Sequence, residues 1–206
     1  MFNLPNCLSF ARIATVPVIV ILLYFPSRAT AAAAMFIFII ASLTDLFDGL
    51  LARRYNQVTK MGKFLDPLAD KILITAVLIM LVHNGWLHAW IAIVIITREI
   101  TVTGLRAIAA EQSVVISADR YGKLKTIFQV VALCPLMLHY PWWGFDPTLL
   151  GQVLIHIALI LAVASGINYL RVFYVQAFQE PEDRGQETED RGQRAEVRRQ
   201  RAEGKK

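Results

Sequence analysis

An all-α integral membrane fold, with six transmembrane helices around a cytoplasm-facing polar site, is predicted by three features of this 206-residue sequence. Hydrophobic residues make up 56% of it against 18% charged, and mean hydropathy is +0.49. The apolar residues come in blocks instead of the periodic pattern of a soluble domain. The ionisable residues near those blocks gather at one end of each. A soluble bundle of six buried helices is disfavoured, because too little polar surface exists to cover it.

The blocks run, in chain order, over 13–25, 31–43, 72–82, 86–96, 127–140 and 149–164. Several are shorter than the roughly 20 residues a helix needs to span a bilayer. Each continues at one end into mixed sequence: the first follows Arg12, the second runs into Asp45 and Asp48, and the third follows Asp66 and Asp70. The fourth runs into Arg98 and Glu99, the fifth follows Lys123 and Lys125, and the sixth runs towards Arg171. Such extensions are tolerated in a span where they face protein or water instead of lipid. The start of the chain lacks a basic n-region and Arg12 interrupts the first block, so no cleavable secretory signal is expected. Cys7 and Cys134 have no metal-ligand spacing and read as small hydrophobes.

Basic residues set the orientation. Arg53, Arg54, Lys60, Lys63 and Lys71 follow the second block, and Arg98, Arg106, Arg120, Lys123 and Lys125 follow the fourth. The opposite connections hold only Arg28. Positive charge favours the cytoplasm, so both termini are expected there, in a bacterial cytoplasmic membrane or its equivalent. Trp86, Trp90, Trp142 and Trp143 fall near the other face, where interfacial aromatics anchor spans.

Residues 1–178 form the membrane domain, and 179–206 read as a separate charged, low-complexity tail. The tail carries eight acids and eight bases with almost nothing apolar, and is expected to be disordered or transiently helical. The net charge of +5 therefore belongs to the membrane domain, which suits an anionic substrate and predicts no nucleic-acid partner.

The segment 44–71 concentrates the chemistry. Asp45 and Asp48 are three apart, Asp66 and Asp70 four apart, spacings that put each pair on one face of a helix. Gly49 and Gly62 allow close approach of backbone or ligand. Four carboxylates converging near membrane depth repel unless protonation or divalent cations relieve them. Oxygen-only ligands favour Mg²⁺ or Mn²⁺, and two such ions form a clamp suited to phosphoryl displacement. Arg98, Arg106, Lys123 and Lys125 suit a phosphate-bearing partner, although positive-inside loop charge also accounts for such residues.

The string Asp45-x2-Asp48-Gly49-x2-Ala52-Arg53-x8-Gly62-x3-Asp66-x3-Asp70 resembles, at all eight fixed positions, the signature of the CDP-alcohol phosphotransferases. The likeness extends over 1–175 and is strongest, through 3–12, 97–106 and 121–129, to bacterial members that use glycerol 3-phosphate. It implies a homodimeric membrane enzyme that takes CDP-diacylglycerol as donor and glycerol 3-phosphate as acceptor. It implies that Asp45, Asp48 and Asp66 bind two metal ions, and that Asp70 contacts a metal and acts as the base. Gly49, Ala52, Arg53 and Gly62 are implied to line the cytidine nucleotide, with Asn6, Ser9 and Arg12 nearby. Arg98, Arg106, Lys123 and Lys125 fall to the acceptor phosphate. Inositol phosphate, serine or phosphatidylglycerol as acceptor remains a rival within the family. A transporter, the rival of another class, predicts charges distributed through the membrane depth, unlike the one-sided placement here.

Overall fold

The computed structural model describes the backbone of residues 4–55, 60–111, 120–142 and 144–203, and side chains over 10–44, 68–109, 124–142 and 144–175. Among these residues are six helices: α1 Leu4–Tyr24, α2 Arg28–Tyr55, α3 Lys60–His83, α4 Ala89–Glu111, α5 Arg120–Leu138 and α6 Pro147–Glu203. Each apolar block falls on its own helix, to within three residues at its ends. The polar extensions continue those helices, so Asp45 and Asp48 lie on α2, and Asp66 and Asp70 on α3. The tail expected to be disordered or transiently helical is helical through Glu203, which corrects the disordered alternative. Its sequence supplies the reason: Glu180/Arg184, Glu187/Arg191 and Asp190/Arg194 stand four apart, a spacing that favours helix.

One helical segment among the described residues, Pro147–Val175, is long and apolar enough to cross a membrane. Its 29 residues rise about 43 Å at 1.5 Å each. Phe10–Tyr24, Arg28–Thr44 and Leu124–Leu138 are shorter apolar helical stretches among the described residues. Both surfaces of the bundle are apolar. Phe38, Leu73, Leu78, Leu81, Ile91, Ile95, Leu133, Leu136 and Ile155 are fully buried between the helices. Facing outward are Ile21 on α1, Ile40 on α2, Ile79 on α3, Ile93 on α4, Ile127 on α5 and Ile160 on α6. Water penalises so much exposed apolar surface, whereas lipid does not.

Short, capped turns fix the end of the bundle away from the acidic motif. Ser27 and Thr30 cap α2 reciprocally, each side chain accepting the other's backbone N–H at 3.1 and 2.8 Å. Gly85, at φ +72°, ends α3 in a Schellman turn, with Trp86 N–H donating to Leu81 O and Gly85 N–H to Val82 O. Asp146 caps α6 by accepting the Thr148 N–H at 2.9 Å, and Pro147 fills the first helical position. His139 closes α5 at φ 44°, held by the Thr148 hydroxyl on its carbonyl at 3.0 Å and by stacking on Trp86. The Asn84 amide donates to Leu23 O, and the Gln152 amide to Trp86 O, joining α1 and α6 to the α3–α4 turn.

Where helices meet in lipid there is no hydrophobic drive between them, and close van der Waals contact has to hold them. The tightest example is Gly151 on α6: a Cβ there would meet Leu136 on α5 at 2.7 Å from Cγ and 2.9 Å from the backbone nitrogen. Gly151→Ala is therefore expected to force α5 and α6 apart, at a cost of about 1–3 kcal/mol. A melting curve in detergent should show a fall of several degrees, and an unchanged melting temperature would contradict this packing.

Candidate functional site

Asp70 and Lys71 of α3, Glu99 of α4, and Lys125, Thr126 and Gln129 of α5 line one small cavity. Its inner wall is apolar, with Ile74 and Leu78 facing Ile95 and Ile96. Helical spacing explains the grouping. Lys71, Ile74, Thr75 and Leu78 follow the i, i+3, i+4, i+7 pattern of one face, and Lys125 and Gln129 are one turn apart.

The Lys125 side chain is 3% exposed, and its ammonium forms an ion pair with Glu99 Oε1. Arg98 Nη1 donates to that same oxygen at 3.3 Å. A buried charge without a partner costs several kcal/mol, so the shared carboxylate is what makes two cations tolerable here. Arg98 reaches onward to α6: Nη2 donates to Ser165 Oγ at 2.6 Å, and Nε to Ala162 O at 3.3 Å. Gly166 leaves the slot for this reach, since a Cβ there would stand 3.2 Å from Arg98 Cγ. Lys71 donates to Thr103 Oγ1, and Thr103 donates to the Glu99 carbonyl at 2.6 Å. One polar network thus joins α3, α4, α5 and α6 at the level of Asp70.

The structure brings Asp70 and Lys125 together and distributes the other expected residues around them. Arg98 contacts the network and also borders a groove of about 380 Å³ between α4 and α6, with Thr97, Thr101, Gly166 and Leu170. Arg106 is not brought into the cavity. It lies about 12 Å further along α4 at 1.5 Å per residue, with its guanidinium 5.5 Å from the centre of the Tyr169 ring. Arg12 is buried, donates from Nε to Ala41 O at 3.3 Å, and borders a groove of about 230 Å³ between α1 and α2. That contact sets Arg12 one helical turn from the backbone of Asp45. The side chains of Asp45, Asp48, Gly49, Ala52, Arg53, Gly62 and Asp66, with Asn6, Ser9 and Lys123, lie outside the described residues.

Sequence reasoning leaves Lys71 as loop charge and assigns nothing to Thr103 or Ser165. The i, i+4 spacings Glu99/Thr103 and Lys125/Gln129 are signals that find two participants. Nothing in the spacing points to Ser165, whose role depends on how α6 packs against α4. The four histidines sit away from Asp70. His83 stacks on Tyr24 and His139 on Trp86, while His156 bonds Gln152 O within its own helix.

The family model for CDP-alcohol phosphatidyltransferase matches residues 2–164. A Bacillus subtilis protein is 41% identical over 82% of this chain and 94% of its own length. A Rickettsia typhi protein is 38% identical over 83% and 97%, and one from Haemophilus influenzae 38% over 83% and 93%. All three bear the name CDP-diacylglycerol–glycerol-3-phosphate 3-phosphatidyltransferase.

Glu99→Gln should strand the Lys125 ammonium and lower stability by up to about 3–5 kcal/mol. Adding Lys125→Met to that variant should recover a large part of the loss, as a double-mutant cycle of melting temperatures reads directly. Strict additivity of the two single effects would contradict the shared ion pair.

Proposed function

The chain belongs to the CDP-alcohol phosphatidyltransferase family, and on that premise we propose that it transfers the phosphatidyl group of CDP-diacylglycerol to glycerol 3-phosphate. The products are phosphatidylglycerophosphate and CMP, and the process served is phospholipid biosynthesis. Relatives matched over more than nine-tenths of their length carry the name of this activity. The observation in this chain that carries the reading is the single cavity shared by Asp70, Lys71 and Lys125. A carboxylate suited to accept a proton lies beside two ammonium groups suited to a phosphate-bearing acceptor.

Asp45 with Asp48 and Asp66 with Asp70 lie three and four apart on continuous helices, and all four offer hard oxygen donors. That donor set fits two divalent cations, Mg²⁺ or Mn²⁺. Such ions, when bound, neutralise the donor diphosphate and steady the attacking and leaving oxygens. The chain's own residues divide the remaining work. Gly49, Ala52, Arg53 and Gly62, with Asn6, Ser9 and Arg12, frame the cytidine nucleotide. Arg98, Lys123 and Lys125 hold the acceptor phosphate, and Arg106, outside the cavity, steers it inward. Asp70 takes the proton from the acceptor's primary hydroxyl. That oxygen bonds to the lipid-bearing phosphorus, and the bond from this phosphorus to the bridging oxygen breaks, releasing CMP.

The outward apolar side chains on all six helices support a six-span arrangement in a bacterial cytoplasmic membrane or its equivalent. Both termini and the site then face the cytoplasm, in accord with the basic connections. A homodimeric assembly rests on the family resemblance alone.

The test is CMP release by the purified protein in detergent, with CDP-diacylglycerol, Mg²⁺ or Mn²⁺, and a panel of acceptors. Release that depends on glycerol 3-phosphate, stops with a chelator and returns with either metal is expected. Release with inositol phosphate or another alcohol instead would overturn the acceptor, and none from folded protein would overturn the activity. Asp70→Asn should abolish turnover while largely sparing metal-dependent nucleotide binding. Full activity in that variant would contradict its role as base.

A further inference from the structure

The cavity beside Asp70 ends on a polar group that the reaction outlined above leaves unused. Gln129 is 1% exposed, and its Nε2 finds no hydrogen-bond acceptor among the described residues. A buried amide N–H left unbonded loses its hydration without recompense, so a side chain held this way needs a reason. Position supplies one. Gln129 stands one turn beyond Lys125 on α5, about 6 Å deeper in the bundle, and both line the cavity that contains Asp70. The space there is about 20 Å³, where a single water needs roughly 10–15 Å³. It admits one hydroxyl-sized group; Ile74, Leu78 and Ile95 offer that group no donor, and besides Gln129 the uncharged donors on the lining are the hydroxyls of Thr75 and Thr126.

A glycerol phosphate has three polar features to satisfy on burial. Its phosphate is matched by the cations and its reacting primary hydroxyl by Asp70. The central hydroxyl is left, and its oxygen can accept the Gln129 N–H. We infer that Gln129 is a specificity-determining residue that recognises the non-reacting central hydroxyl of the polyol phosphate acceptor. The inference rests on the glycerol 3-phosphate reading of the site. A site built to bond a substrate hydroxyl rejects an analogue without it, because the buried donor then stays unpaired.

The experiment compares glycerol 3-phosphate with 3-hydroxypropyl phosphate, which keeps the reacting hydroxyl and the phosphate and lacks the central hydroxyl. Values of kcat/KM are measured by CMP release for the unaltered enzyme and for Gln129→Met, with melting curves to establish that the variant is folded. The unaltered enzyme should favour glycerol 3-phosphate by about tenfold or more, as one lost hydrogen bond implies. The ratio should fall to within about twofold of unity in Gln129→Met. An unaltered enzyme that does not discriminate would overturn the inference without need of any variant. So would a ratio that survives in Gln129→Met, or equal losses with both acceptors, which are the mark of a merely structural amide. In those cases turnover of glycerol 3-phosphate by the unaltered enzyme leaves the proposed function standing. No turnover with glycerol 3-phosphate would contradict that function, and this inference with it.

Discussion

A buried ammonium must be neutralised where it sits, and Glu99 does this for Lys125 while also receiving Arg98. The rest of the polar site follows from that constraint. Glu99 draws α5 to α4, Arg98 carries the link to Ser165 on α6, and Lys71 with Thr103 returns it to α3. The arrangement holds cations in a largely desolvated place before any substrate arrives. On the proposed reading, an acceptor phosphate beside Lys125 and Arg98 would exchange one anionic partner for another, and meet groups whose dehydration and ordering have already been accomplished in folding. If these cations hold the acceptor phosphate as proposed, the same carboxylate competes with it, and Glu99 then tunes affinity as well as stability.

The two ends of the bundle are built on different principles. At the Asp70 end, charged side chains link the helices. At the other end, caps and ring stacks join short turns: Ser27 with Thr30, Gly85, Asp146 with Pro147, and Trp86 on His139. Between them lies apolar packing, with Phe38, Leu81 and Leu136 fully buried and Gly151 letting α5 and α6 touch. A transport pathway needs polar groups through the membrane depth. A one-sided polar site above an apolar core suits an enzyme that meets a lipid at one membrane face and a soluble acceptor from the same side.

Much of this was legible in the sequence, for physical reasons that can be named. The apolar blocks mark the helices because only long runs of nonpolar side chains tolerate lipid, and the acidic spacings lie on continuous helices as expected. Asp70 and Lys125 were found because ionisable residues beside apolar runs stand out. Ser165 and Thr103 were not, since a hydroxyl on an apolar helix is common and gains meaning only from what packs against it. Arg106 shows the converse. Its charge matched the expected role, but its place over Tyr169 depends on the register of α4 against α6, which spacing along one helix does not encode. For the tail the sequence left disorder and helix both open, because its polarity argues against a packed core, and a helix with charges spaced four apart needs none.

The central claim is that the cations buried around Glu99 hold the phosphate of the acceptor and not that of the lipid donor. Separate Michaelis constants for the two substrates in Lys125→Ala test it most directly. The account predicts a rise of about tenfold or more in the constant for glycerol 3-phosphate, with that for CDP-diacylglycerol changing by less than about twofold, as loss of a charged hydrogen bond to one substrate implies. Equal rises for both substrates, or a rise confined to the lipid donor, would contradict it.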